Sequence, residues 1–133
     1  MINKKLGNDF EQELCEKLAE YGFWCTNLAM NKSGQPADII AVRNKVAHLI
    51  DAKVVSSSRG FSLSRVEENQ DTAMDLWRNK GNGQGWFALK VSEEIFMLPH
   101  LCIKAYMVQQ SKLSISEITT LGIPLSRWVQ RWK

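Results

Sequence analysis

The sequence is poor in the residues that staple small proteins together. Its three cysteines, Cys15, Cys25 and Cys102, stand far apart and form no C-x-x-C pair. An odd, sparse count argues against a disulfide framework and for reduced thiols. Histidine occurs twice, and His100-Leu101-Cys102 is not a usable zinc spacing, so no structural zinc site is expected. No apolar run reaches the roughly 18 residues a membrane-spanning helix needs. The opening segment MINKKLGNDFEQEL lacks the apolar stretch of a signal peptide, so a cytoplasmic location is the expectation. Proline is scarce, at three residues, and neither a low-complexity linker nor an internal repeat is visible.

What remains is one domain's worth of chain. With 133 residues and 44% hydrophobic content, it can bury one core, and residues 1–133 are expected to form a single domain. A formal charge of +3 suits nucleic acid without requiring it.

Periodicity predicts a helix over Phe10–Tyr21, stopped by Gly22, then strands at Phe23–Ala29, Ala37–Arg43 and Val46–Val55. Asn44-Lys45 reads as a hairpin turn, and Met30–Pro36 and Ser56–Gly60 read as loops. Ser64 and Glu67 form an S-x-x-E box that would open a helix over Arg65–Asn79. GNGQG at Gly81–Gly85 precedes a strand and not a helix, so it reads as a turn and not a nucleotide loop. Two strands, Trp86–Val91 and Glu94–Leu98, follow it. Helical pattern returns at His100–Gln109, and Ser114 or Ser116 can cap a short helix ending near Gly122. The expected class is α/β, with a mixed central sheet flanked by helices.

The chemistry concentrates in HLIDAKVV, the third strand run. Side chains alternate along a strand, so Asp51 and Lys53 share one face. Charges inside an apolar strand are costly without partners. If the turn centres between Asn44 and Lys45, Ile40 pairs with Leu49 and Asp38 falls opposite Asp51, with Cβ atoms about 4.5–5.5 Å apart. Two facing carboxylates repel, a divalent cation removes the repulsion, and hard oxygen ligands suit magnesium. Glu11 shares the inward helix face of Leu14, Cys15 and Leu18, whereas Glu13 falls on the solvated face. Gln70 lines up with Val66, Ala73 and Trp77 on the buried side of its helix. Taken alone, Asp51 and Lys53 could be a buried ion pair, and Gln70 could merely cap a nearby backbone group. Together, these inward polar residues on two helices and a hairpin favour a site.

In the order Gly7-x-x-x-Glu11, Ala37-Asp38-Ile39-Ile40, Asp51-Ala52-Lys53, the chain resembles the PD-(D/E)XK nuclease superfamily. Further on, Phe61-x-Leu63, Gln70 on a helix, a Trp-Phe strand and a Phe-x-Leu strand resemble the RecU-type Holliday junction resolvases. The likeness runs roughly from Gly7 to Leu98, and Ile123-Pro124-Leu125 with its aromatic tail is similar to the family's ending. It implies a restriction-endonuclease-like core and a magnesium-dependent endonuclease (manganese substituting) that cuts branched or duplex DNA to 5′-phosphate and 3′-hydroxyl ends. Asp38, Asp51 and Gln70 would bind metal, Lys53 would steady the attacking water or the transition-state charge, and Glu11 would complete the site. Two departures stand out. Asp51 occupies a position where relatives commonly carry Glu, and only Met30–Pro36 fills the place of a long stalk that engages the junction centre. A duplex nickase or repair nuclease, and a non-catalytic DNA-binding or inhibitor protein of the same fold, are the competing readings.

Three basic residues are candidates for DNA phosphates: Lys32 in the shortened loop, and Arg59 and Arg65 flanking the site. The tail Arg127–Lys133 interleaves bases with aromatics; it would grip DNA, or dock its tryptophans on the core or on a second subunit. A junction cut on two symmetry-related strands calls for a two-fold homodimer, and Trp128 and Trp132 offer apolar surface for it.

Overall fold

The computed structural model describes residues 2–28 and 37–133, with side chains from Asp9 onward. The Met30–Pro36 loop, with Lys32, lies outside the described residues. The chain opens with helix α1 (Ile2–Glu20) and strand β1 (Trp24–Asn27), followed by β2 (Ile39–Arg43) and β3 (Val46–Val55). After β4 (Phe61–Ser62) come a 3-10 turn over Leu63–Arg65 and helix α2 (Glu68–Asn79). Next are β5 (Trp86–Val91), β6 (Glu94–Pro99), α3 (His100–Gln109) and β7 (Lys112–Leu113). Helix α4 (Ile115–Leu121), β8 (Ile123–Pro124), α5 (Leu125–Trp128) and a 3-10 turn over Val129–Trp132 complete it.

Six strands form one mixed sheet in the order β1-β2-β3-β5-β6-β8, and β4 and β7 form a separate pair. Only β3 and β5 run parallel; the other pairings in both sheets are antiparallel. One face of the sheet packs Phe10, Leu14 and Leu18 of α1, with Leu125 and Trp128 of α5, on Ile50, Ala52, Trp86 and Ala88. The other face packs Met74 of α2, Ile103 of α3 and Ile118 of α4 on Leu49, Phe87 and Leu89. This is the α/β sandwich with a mixed central sheet that the sequence implies. Among the described residues, no helix is long and apolar enough to cross a membrane.

The β2–β3 hairpin has the expected register, with Arg43 opposite Val46 and Ile40 opposite Leu49. Its two-residue turn requires left-handed backbone at both positions, and Asn44 and Lys45 supply it at φ 52° and 68°. Gly22, at φ 93°, ends α1: Phe23 N–H reaches back to Leu18 C=O at 3.0 Å, a closure that suits a residue without Cβ. Gly85 explains part of the glycine-rich turn. A Cβ there would lie 2.6 Å from the Met74 side chain, so the glycine lets α2 approach β5.

Several expectations need correction. Helix α1 begins near Ile2 and not Phe10, running straight through Gly7. The helix α2 box is shifted: Leu63–Arg65 closes on itself through Val66 N–H to Leu63 C=O, burying both apolar side chains. The helix therefore starts after Glu67, whose N–H donates to Gln70 Oε1 at 3.2 Å. Ser114, by contrast, caps α4 as expected, accepting from Glu117 N–H at 3.1 Å.

The tail takes the docked alternative, and only the spare apolar surface expected at Trp128 needs correction. Trp128 is fully buried, stacked on Phe23 at 5.7 Å and edge-on to Trp86 and His48. Trp132 lies edge-on to His48 at 4.3 Å, and its carbonyl accepts from Asn44 Nδ2 at 3.1 Å. A domain this small does bury Trp128, because α1 leaves that end of the sheet uncovered and α5 fills the space. The tail docks on its own core, with Trp128 fully and Trp132 partly buried. Trp128→Ala should lower stability by about 3–5 kcal/mol, as removal of a buried indole does. Urea unfolding of the variant with an unchanged midpoint would contradict this packing.

Candidate active site

The site forms where one ladder outruns its neighbour. Strand β2 pairs with β3 only up to Ile39 opposite Ile50, and Asp38 N–H still reaches Ile50 C=O at 3.1 Å. Beyond that point Ala52 N–H has no backbone acceptor on β2, and Asp38 Oδ2 takes it at 2.7 Å. The bond satisfies a buried amide and fixes the Asp38 carboxylate beside β3.

Asp51 faces it from β3, fully buried. Its Oδ1 accepts from Gln70 Nε2 at 3.1 Å. Its Oδ2 lies 3.2 Å from Lys53 Nζ, near enough for ion pairing, yet the geometry leaves that buried oxygen without a hydrogen bond. Burial, and then the Asp38 charge, push the Asp51 carboxyl well above the usual carboxylate range, while Lys53 pulls the other way. Left to itself, this arrangement favours a protonated Asp51.

Glu11 comes from the opposite face of the sheet. Helix α1 packs there through Phe10 and Leu14, which places Glu11 at the end of β2 within electrostatic reach of Asp38 and Lys53. Its carboxyl is pushed up to about 7, chiefly by burial and secondly by Asp38. Glu13 is not the freely solvated charge that its helix phase suggests. It pairs with Lys90 of β5 at 2.6 Å and with Lys17 at 3.4 Å, and these partners lower its pKa.

Glu11, Asp38, Asp51, Lys53 and Gln70 therefore converge. Gln70 arrives with its amide nitrogen toward Asp51, its oxygen being held by Glu67 N–H. Arg65 is drawn alongside: its Nη1 donates to Val54 C=O at 2.8 Å, its guanidinium covers Phe61, and it feels the Asp51 charge. Arg59 is exposed on the loop after β3, where its backbone N–H caps onto Ser56 Oγ at 3.1 Å.

A second polar cluster escaped the sequence reading. Asp71 and Asp75, one turn apart on α2, meet His100 at the start of α3, with three potential ligand atoms within 4.8 Å of one another. No other such group of three is found among the described residues. This cluster could bind a metal ion. His100 Nε2 and Asp71 Oδ1 are 2.6 Å apart, while Lys104 Nζ bonds Asp75 and lies 3.5 Å from Asp71. The Lys104 bond is also the main reason the Asp75 carboxyl titrates low. The i,i+4 pair of aspartates was a legible signal; the histidine, from another element, was not.

The donor set at Asp38 and Asp51 fits a hard divalent cation. It offers carboxylate oxygens, one of them buried without a hydrogen bond, and the Asp38 charge adds to the cost of ionising Asp51.

The sequence model of the archaeal Holliday junction resolvase (Hjc) family matches residues 2–133. The fold is similar to the structure of Hjc from Archaeoglobus fulgidus, a Holliday junction resolvase from an archaeal hyperthermophile. That match has a TM-score of 0.64 and 20% sequence identity, and covers 93% of this chain and 95% of the other. No curated protein matches the chain. The matched family is consistent with the PD-(D/E)XK resolvases as a class, and it is the archaeal branch, not the RecU type, that the match names. Resolvase nucleases of this family normally use a divalent metal, and the family implies binding of branched DNA. The chain therefore belongs to the archaeal Holliday junction resolvase (Hjc) family and is a Holliday junction resolvase, an endonuclease.

Proposed function

We propose that the chain nicks four-way DNA junctions in a magnesium-dependent reaction centred on Glu11, Asp38, Asp51 and Lys53. The observation that carries this is the facing pair Asp38 and Asp51, with a buried Asp51 oxygen lacking a hydrogen bond. Magnesium, for which manganese can substitute, would be held by Asp38 and Asp51. Bound there, it would supply Lewis-acid polarisation of the phosphate and a water of lowered pKa.

The chain's own residues do the rest. The Ala52 amide orients Asp38, and Gln70 orients Asp51 through its amide nitrogen. For Gln70 to act as a ligand itself, its amide would have to turn over and release Glu67 N–H. Lys53, mostly buried at 14% side-chain exposure, holds a fixed positive charge against Asp51. It is suited to steady the added negative charge on the phosphorane. Glu11 is suited to take up a proton near neutral pH, the condition for an acid–base group beside the scissile phosphate. Arg65 and Arg59, with Lys32, are proposed phosphate contacts, Arg65 being the one adjacent to the acids. The order of motifs keeps a likeness to the RecU type as our own reading. Two matched nicks require two sites, and a homodimer with its sites on one face is the simplest source.

Asp51→Asn should abolish cleavage while leaving junction binding equal or tighter, since a charge repelling phosphate is lost. Without metal, the variant should also melt higher than wild type at pH 8. At that pH the unfolded wild type releases the Asp51 proton that the folded site favours keeping, a linkage cost that Asn does not carry. Cleavage near the wild-type rate would sink the assignment.

The two glutamates of α1 should separate in opposite directions. Glu11, raised to about 7, favours the fold below its unfolded pKa near 4.5 and loses that contribution as pH climbs through 7. Glu11→Gln should thus stabilise the metal-free protein at pH 8, with the difference vanishing toward pH 4, and cripple cleavage. Glu13, whose pKa is lowered, contributes stability above its unfolded pKa that is lost as pH falls. Glu13→Gln should weaken the fold at pH 8 and leave cleavage nearly intact. Matching pH–stability profiles and matching rates for the two variants would refute the helix assignment.

Assembly is tested by sedimentation with junction DNA in dilute buffer. Two chains per junction are expected; one chain that cuts both strands in a single encounter would defeat the dimer.

A further inference from the structure

The packing of α1 on β1 brings two cysteines together. Cys15 Sγ and Cys25 Sγ lie 2.9 Å apart, well inside ordinary sulfur–sulfur contact, and Cys15 Sγ also donates to Asn27 Oδ1 at 3.0 Å. Both are free thiols and both are only half buried, so a small reagent can reach them. Cys15 stands one helical turn beyond Glu11, on the same inward stripe of α1. Cys102 lies on α3, which packs on the other face of the sheet from α1.

We propose that Cys15 and Cys25 are a covalent modification site: they take a small-molecule disulfide of the glutathione type as oxidant and close into an internal disulfide that clips α1 to β1. In the first step the Cys15 thiolate attacks one sulfur of the oxidant, forming a mixed disulfide and releasing one thiolate. The Cys25 thiol then gives up its proton to solvent and attacks the Cys15 sulfur, expelling the second thiolate. The two cysteines together lose two electrons and two protons, and one small-molecule disulfide becomes two thiols. The order of attack follows the environment. The hydrogen bond from Cys25 draws the Cys15 thiol down, while the same contact pushes Cys25 far up. A reducing compartment keeps the pair open; an oxidising one closes it.

The consequence is mechanical. The two cysteines are ten positions apart in sequence, and the bond would tie the helix that carries Glu11 to the edge of the sheet. Cross-linking removes freedom from the unfolded chain, so the oxidised protein should melt roughly 5 °C higher or more.

The test uses the full chain carrying Cys102→Ser, equilibrated with mixtures of glutathione disulfide and glutathione, quenched in acid and alkylated. The expected product has lost two hydrogens in intact mass and yields a peptide linked Cys15 to Cys25. It should melt higher and revert fully on addition of dithiothreitol. Adding Cys25→Ser should trap a glutathione adduct on Cys15, with no internal link. Both thiols recovered alkylated across the whole series, or separate glutathione adducts on both with no internal link, would overturn the proposal. A Cys25→Ser protein that forms no adduct on Cys15 would overturn the order of attack.

Discussion

One amide decides the layout of the site. Where β2 stops pairing, Ala52 N–H sits in the middle of a buried strand and must be satisfied, because an unpaired buried amide costs about 1–3 kcal/mol. Asp38 satisfies it, and in doing so brings a second carboxylate up to Asp51. Burial does most to drive Asp51 toward its protonated form, and the Asp38 charge that adds to it is a by-product of finishing a hydrogen-bond ladder. Lys53, Gln70 and Glu11 respond to the same constraint from β3, α2 and α1.

This explains why a site should rest on the most rigid part of the molecule. Strand β3 is paired on both sides and packed on both faces, so Asp51 and Lys53 have little freedom to move. Gln70 ties α2 to that strand while closing the first turn of its own helix. Its two functions are inseparable: changing the amide disturbs both the carboxylate and the start of α2. The Asp71, Asp75, His100 and Lys104 cluster then holds α3 against the outer side of α2.

Much of this was legible because it depends on local rules. Hairpin register follows from a two-residue turn, so Asn44-Lys45 was enough to bring Asp38 opposite Asp51. Helix phase separated Glu11 from Glu13. It could not reveal that Glu13 meets Lys90, because that lysine arrives from a strand far along the chain. The same limit applies to His100 joining two aspartates and to Cys15 meeting Cys25. The Ser64 box failed for a different reason: Leu63 and Val66 gain more from burial in a 3-10 turn than Ser64 gains from capping. Which of its alternatives the tail takes was not legible, because composition says how many tryptophans a chain has, not where they pack.

The docked tail also bears on the order in which the molecule assembles. Trp128 completes the face of the sheet that carries α1, and Trp132 closes on the turn residue Asn44, 88 positions away. Contacts so distant in sequence form late and slow a folding reaction, since the chain must be looped before they return any energy. A nascent chain exposes Phe23, His48 and Trp86 to water until Trp128 has been made. Through that interval the α1 face has an apolar vacancy about the size of an indole.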